Sequence, residues 1–325
     1  MFLNFEELRT GNWTKIVKKA GVIHKIITIL GGSNFFNMAL KQLKWLYLIA
    51  LALIWGSSFI LIKRGLVGLN PLQLGALRIV CAATFLILIG YQTLPKIPQH
   101  QWKYIALTSL VGTFIPVFLF SIAQTQISSS VSSILNSLTP LNTLLIGALA
   151  FGLTFKRSQI IGVSIGLVGS LMLIFNGALN HPEQNYWYTV LVVIASLCYA
   201  MNVNLIKKHL SDLSPLAIST GNFVVMLVPA LGILYFSDFF EIVHIEKVQH
   251  AALFVVVLGI MGTGVANIIF FRLIQMSSPV FATSVTYLIP VVAFFWGLLD
   301  SEMLTPIQFV GAFVILVGVY LSGKK

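Results

Sequence analysis

The sequence predicts an all-α integral membrane protein: ten transmembrane helices forming two inverted five-helix repeats. Three observations lead there. Hydrophobic residues make up 58% of the chain and charged residues 9%, with a mean hydropathy of +0.94, whereas a water-facing domain carries about 25% charged residues. Apolar stretches of roughly bilayer-spanning length, about 17–25 residues, recur from residue 45 to residue 322. The chain also repeats its own motifs in order, at a nearly constant offset.

The stretches run 45–62, 72–91, 103–122, 129–150, 159–176, 187–206, 216–236, 251–271, 279–299 and 306–322, with short connections. Residues 1–40 read differently. In "TKIVKKAGVIHKIITIL", apolar residues recur every three or four positions with Lys15, Lys18, Lys19 and Lys25 between them. That pattern predicts a basic amphipathic extension lying on the membrane surface. A start at Met38, just before "ALKQLKWLYLIALALIW", is the other reading of this segment. Two repeat domains follow, 41–178 (spans one to five) and 185–323 (spans six to ten).

The repeat is legible in three places. "IKRGLVGLNPL" (62–72) answers "IKKHLSDLSPL" (206–216) at an offset of 144, with Lys63 matching Lys207 and Pro71 matching Pro215. "VGT" (111–113) answers "MGT" (261–263), and Pro140 answers Pro290, both at 150. "QIIGVSIGLVG" (159–169) answers "QFVGAFVILVG" (308–318) at 149. Apolar helices resemble one another by chance, but three matches in one order indicate duplication. Five spans per half is an odd number, so the second half enters from the opposite side. Inverted repeats of this kind hold a transporter's substrate near the midplane, where the halves meet.

Charge sets the orientation. With a cytoplasmic N-terminus, eleven Lys and Arg from Lys41 onward fall on the inner side, against Lys63, Arg64 and Lys247 outside. This positive-inside bias puts both termini in the cytoplasm and makes the net charge of +11 an orientation signal rather than a nucleic-acid footprint. Cys81 and Cys198 stand singly within spans and read as small buried residues.

Polar side chains inside the spans supply the candidate site. Arg78, in the second span, is costly in lipid by about 2.5–3.5 kcal/mol. It reads either as a cation facing inward for a carboxylate or as a side chain snorkelling to the headgroups. Trp55 and Ser58 have Tyr199 and Asn202 as repeat mates; Asn136, Asn267 and Tyr287 complete the set expected on the cavity wall. Helix–helix hydrogen bonding is the plainer use of the same groups. Pro140 and Pro290 are expected helix breaks that free backbone carbonyls toward a cavity and act in gating. Gly162, Gly166, Gly169, Gly311 and Gly318 suit a close helix pair or a homodimer contact.

"LALIWGSSFILIKRGL…NPLQLGALRIVCAATFLI" and the closing "LTPIQFVGAFVILVGVYL" resemble the EamA family of the drug/metabolite transporter superfamily, over residues 40–323. The resemblance implies a bacterial inner-membrane transporter that exports amino acids or other small metabolites without ATP. The family's glutamate after the ninth span is matched by Glu302, but Leu153 stands at its first-half equivalent, so a symmetric pair is missing.

Other classes lack their residues. An intramembrane protease or lipid-modifying enzyme needs paired Asp, a Ser–His dyad or HExxH within the spans, and a pump needs a P-loop; none is present. Channel-like rings of charge are absent too. No Asp, Glu or His sits well inside a span, so exchange or facilitated diffusion is expected over proton relay. The expected partners are a small-molecule substrate and the lipid bilayer, with no cofactor, metal or nucleic acid.

Overall fold

Several helices begin where a capping side chain precedes a proline. Asn70 Oδ1 accepts from Gln73 N–H at 2.9 Å while Gln73 Oε1 accepts from Asn70 N–H at 3.0 Å, just ahead of Pro71. Ser214 caps the helix at Pro215 through Ala217 N–H, and Ser278 caps the one at Pro279 through Phe281 N–H, each at 3.1 Å. Proline loses nothing in a first turn, where its missing N–H would have no intrahelical partner. Asn70-Pro71 and Ser214-Pro215 are repeat mates, so the duplication extends to how helices start.

The computed structural model describes residues 32–127, 129–178, 185–299 and 306–322. It divides into two compact units, Met1–Leu46 and Tyr47–Lys325. The predicted amphipathic helix of residues 14–30 lies outside the described residues, as do Glu183, Asp300 and Glu302.

The first repeat comprises α1 (Gly32–Gly65), α2 (Pro71–Gly90), α3 (Trp102–Ser109), α4 (Ile115–Ala123), α5 (Ser129–Asn136), α6 (Thr139–Phe151) and α7 (Arg157–Ala178). The second comprises α8 (Thr189–His209), α9 (Pro215–Phe236), the short α10 (Phe239–Ile242), α11 (Glu246–Gly259), α12 (Ala266–Met276), α13 (Pro279–Thr283), α14 (Val285–Leu299) and α15 (Pro306–Ser322). Among the described residues every regular element is helical. Among the described residues six continuous helical runs are long and apolar enough to cross a membrane: Gln42–Gly65, Pro71–Lys96, Gln99–Ala123, Thr189–His209, Pro215–Phe236 and Glu246–Met276. The remaining apolar stretches are helical as well, two of them in interrupted form.

The π-turns match between the halves, whereas the second pair of interruptions is displaced by about a turn. A π-turn at Leu110–Phe114 joins α3 to α4, and another at Ile260–Val265 joins α11 to α12; these cover the "VGT" and "MGT" motifs. The α5/α6 stretch breaks at residues 137–138, and the α13/α14 stretch at Ser284.

Repeat-equivalent helices pack on each other, α2 on α9 and α7 on α15. In the first pair Ile79, Leu86, Phe223 and Met226 are buried in one cluster with Val255 and Leu258 of α11. The second pair is built on glycine. A Cβ on Gly162 would lie 2.5 Å from Ser322 N, and one on Gly318 would lie 2.5 Å from Gly166 N. Lipid gives helices no hydrophobic reason to associate, so bare backbone permits the close van der Waals contact that replaces it. These glycines are therefore occupied within the chain, and the expected homodimer draws no support from them.

Candidate functional site

The two π-turns and residues flanking the two helix breaks meet around one open cavity. It lies wholly within the Tyr47–Lys325 unit. Repeat mates line it together: Gly112 and Gly262, Thr113 and Thr263, Val117 and Asn267, Phe120 and Phe270.

Glycine in each π-turn makes room for a polar side chain from the opposite half. A Cβ at Gly112 would fall 2.4–2.6 Å from the Asn202 amide, and one at Gly262 would fall 2.8 Å from Ser58 Oγ. Asn202 Oδ1 is buried there without a hydrogen-bond partner among the described residues. Ser58 Oγ instead donates to Ile54 O of its own helix at 2.9 Å. A π-turn also leaves a carbonyl poorly used by its own helix. Trp55 Nε1 donates to Gly262 O at 3.0 Å, and the Trp55 ring meets Phe270 edge-on at 5.0 Å. Tyr199 stacks on Phe120 at 6.0 Å, and Phe120 meets Phe59 at 6.2 Å. One side of the cavity is accordingly aromatic.

Arg78 is the cation of this cavity. Its Nε donates to Thr263 Oγ1 at 2.6 Å, while Thr263 Oγ1 donates onward to Leu258 O at 3.2 Å. The guanidinium thus points inward at the π-turn, which is the inward alternative of the sequence reading and not the snorkelling one. Among the described residues no carboxylate pairs with it, and no further bond leaves its terminal nitrogens. Its repeat mate, Asn222, is fully buried away from the cavity and bonded to Thr108; with its amide turned over, Asn222 donates to Thr108 Oγ1 at 3.1 Å and Ile105 O at 3.0 Å. The charge belongs to one half only.

Trp55, Ser58, Arg78, Asn136, Tyr199, Asn202 and Asn267 all line the cavity. Tyr287 does not. It is fully buried, lies 2.7 Å from where a Gly166 Cβ would stand, and donates to Val163 O at 2.9 Å. Its hydroxyl fastens α14 to α7, so the expectation for Tyr287 is corrected to a packing role. The prolines also need correction. Pro140 is the second residue of α6, restarting a helix rather than breaking one, and Pro290 sits inside α14, six residues past the interruption at Ser284. The carbonyls that these prolines release, Asn136 O and Thr286 O, accept from Thr139 Oγ1 at 2.7 Å and Ser137 Oγ at 3.2 Å. They are bonded within the protein and are not bare lining.

Absent from the set expected on the cavity wall, but on that wall, are Phe59, Ile62, Phe120, Thr139, Phe270 and Thr283, among others. The paired "VGT" and "MGT" motifs are the sequence signal that marks this region. Among the described residues no group of three His, Cys, Asp or Glu could hold a metal.

The family model of the EamA-like transporters matches twice, at residues 42–175 and 186–323. The chain belongs to the EamA-like transporter family. Its relatives include YedA, an uncharacterized inner membrane transporter of Escherichia coli K12, 28% identical over 87% of this chain and 92% of its own. A probable amino-acid metabolite efflux pump of the same strain is 26% identical over 83% of this chain and 91% of its own. An S-adenosylmethionine/S-adenosylhomocysteine transporter of Chlamydia muridarum is 24% identical over 87% and 92%. A chain of known crystal structure superposes with a TM-score of 0.66 at 17% identity, covering 85% of this chain and 94% of that one, which establishes likeness of fold alone. This EamA-like chain is thus a membrane transporter with two family repeats, as its motifs imply.

Proposed function

We propose that this EamA-like protein is a secondary transporter of the inner membrane that exports amino acids or related metabolites. It would cross the membrane ten times, with both termini cytoplasmic, and work by alternating access between two inverted five-span repeats. The observation that carries the substrate class is Arg78. Its Nε is held by Thr263, which leaves the terminal edge of a planar fork free to take a carboxylate with two parallel bonds. The aromatic side formed by Trp55, Phe59, Phe120, Tyr199 and Phe270 offers the rest of the molecule an apolar surface. The name of the Chlamydia relative favours including nucleoside-bearing amino acids among the substrates, since they combine a carboxylate with a planar ring.

Counterflow in proteoliposomes tests this. Vesicles preloaded with unlabelled amino acids, organic acids or nucleosides are presented with the labelled compound, with and without a pH gradient. Labelled amino acid should accumulate without the gradient, and nucleosides lacking a carboxylate should not exchange. Exchange confined to compounds without a carboxylate would overturn the role of Arg78, and no exchange of any compound would overturn the metabolite reading.

A further inference from the structure

We propose that Lys207 is a latch closing one end of the transporter, and that its repeat mate Lys63 is the latch of the opposite state. Lys207 Nζ donates to Ile274 O at 3.1 Å, Gln275 O at 3.3 Å and Ser277 O at 2.9 Å. All three donors of one ammonium therefore meet carbonyls at the C-terminal end of α12, the negative end of its dipole. The contact is returned, because Gln275 Nε2 donates to Leu213 O at 2.7 Å in the turn after α8. Beside it Lys208 Nζ reaches Phe151 O, the last residue of α6, at 3.4 Å. The end of α8 is thereby tied to the ends of α12 and α6.

The equivalent end of α1 is not tied in this way. Lys63 is exposed, and among the described residues it bonds to none of the matching carbonyls, those of Gln124, Thr125 and Ile127 after α4. The cavity has the same bias. Phe59 and Ile62 line it, each buried but with a remnant of 8% and 4% exposure, while their mates Val203 and Ile206 have none and do not line it. The cavity thus runs a turn further toward Lys63 than toward Lys207. In inverted repeats, a contact made by one half in one state is the contact its mate makes in the other. Closure at the Lys63 end then requires Lys63 on the carbonyls after α4, with Lys207 released. This inference rests on the transporter reading and on the inversion of the repeats.

The experiment uses the full chain in nanodiscs, where both faces meet reagent, with Cys81→Ala and Cys198→Ala as background. Single reporters Ile62→Cys and Ile206→Cys are labelled with a membrane-impermeant maleimide. Lys207→Gln should raise labelling at position 206 about tenfold and lower it at position 62. Lys63→Gln should leave position 206 protected. Unchanged labelling at both reporters in a Lys207→Gln chain that still elutes as a single species would overturn the latch. Should that variant fail to fold, the pair Lys63→Cys with Thr125→Cys gives a second reading. Its disulfide, formed under oxidant and reversed by reductant, should expose position 206, and failure to form would overturn the part assigned to Lys63. Counterflow by the cysteine-free parent is measured in parallel. A parent that exchanges nothing, yet whose labelling depends on Lys207, would overturn the transport reading and leave the latch standing.

Discussion

Arg78 and Thr263 come from helices of opposite repeats, and their 2.6 Å bond fixes how the cation is presented. Replacing Arg78 with Ala removes the fork. Transport of a carboxylate-bearing substrate should fall by about tenfold or more, the effect of losing even one of the fork's two charge-assisted bonds at about 1.5–3 kcal/mol, while membrane expression persists. Lys at 78 keeps the charge but not the bidentate geometry, so its exchange rate should lie between those of Ala and the parent. Initial rates of counterflow check both. At Trp55 the indole N–H satisfies Gly262 O in the π-turn at 3.0 Å. Trp55→Phe keeps an aromatic ring and strands that carbonyl, which should cost about 1–3 kcal/mol, read as a lower melting temperature in detergent.

Among the elements, the α7–α15 pair makes the sharpest prediction. Ala at Gly318 would set its methyl 2.5 Å from Gly166 N, and backbone cannot step aside as a side chain can. Gly318→Ala should destabilise by about 1–3 kcal/mol, the usual cost of overpacking, measured as loss of the monodisperse fraction on heating. Gly232, within α9, has nothing within 4 Å of where a methyl would stand. Gly232→Ala should hold stability or raise it by up to about 1 kcal/mol, since Ala is the better helix former. The paired π-turns are the other informative elements. Gly112→Ala would push the Asn202 amide off its present seat at 2.4–2.6 Å, and because Asn202 is a cavity wall residue, exchange should suffer more than stability.

For the molecule as a whole, the distribution of charge governs energy coupling. Among the described residues the cavity wall carries Arg78 and neutral polar groups, with no carboxylate or histidine. A proton relay through a membrane protein ordinarily needs such a group. Counterflow should therefore proceed at equal rates with the pH gradient present or collapsed by a protonophore. A strict dependence on the gradient would require a titrating group elsewhere and would overturn this account.

The sequence by itself determined the helical class, the order and approximate limits of the apolar stretches, and the duplication. It could do so because lipid demands long apolar runs with internally bonded backbone, and both demands are written locally. It also singled out Trp55, Ser58, Arg78, Asn136, Tyr199, Asn202 and Asn267, because polar atoms in such runs stand out against their neighbours. Only the tertiary structure decided that Arg78 turns inward to Thr263, that Tyr287 fastens α14 to α7, and that the glycines of α7 and α15 serve an internal interface. The same holds for the helix interruptions, which fall at π-turns and at Ser284 rather than at Pro290. Each of these depends on which face of one helix meets which face of another, and in a helix that is apolar all round, hydrophobic periodicity does not specify that face.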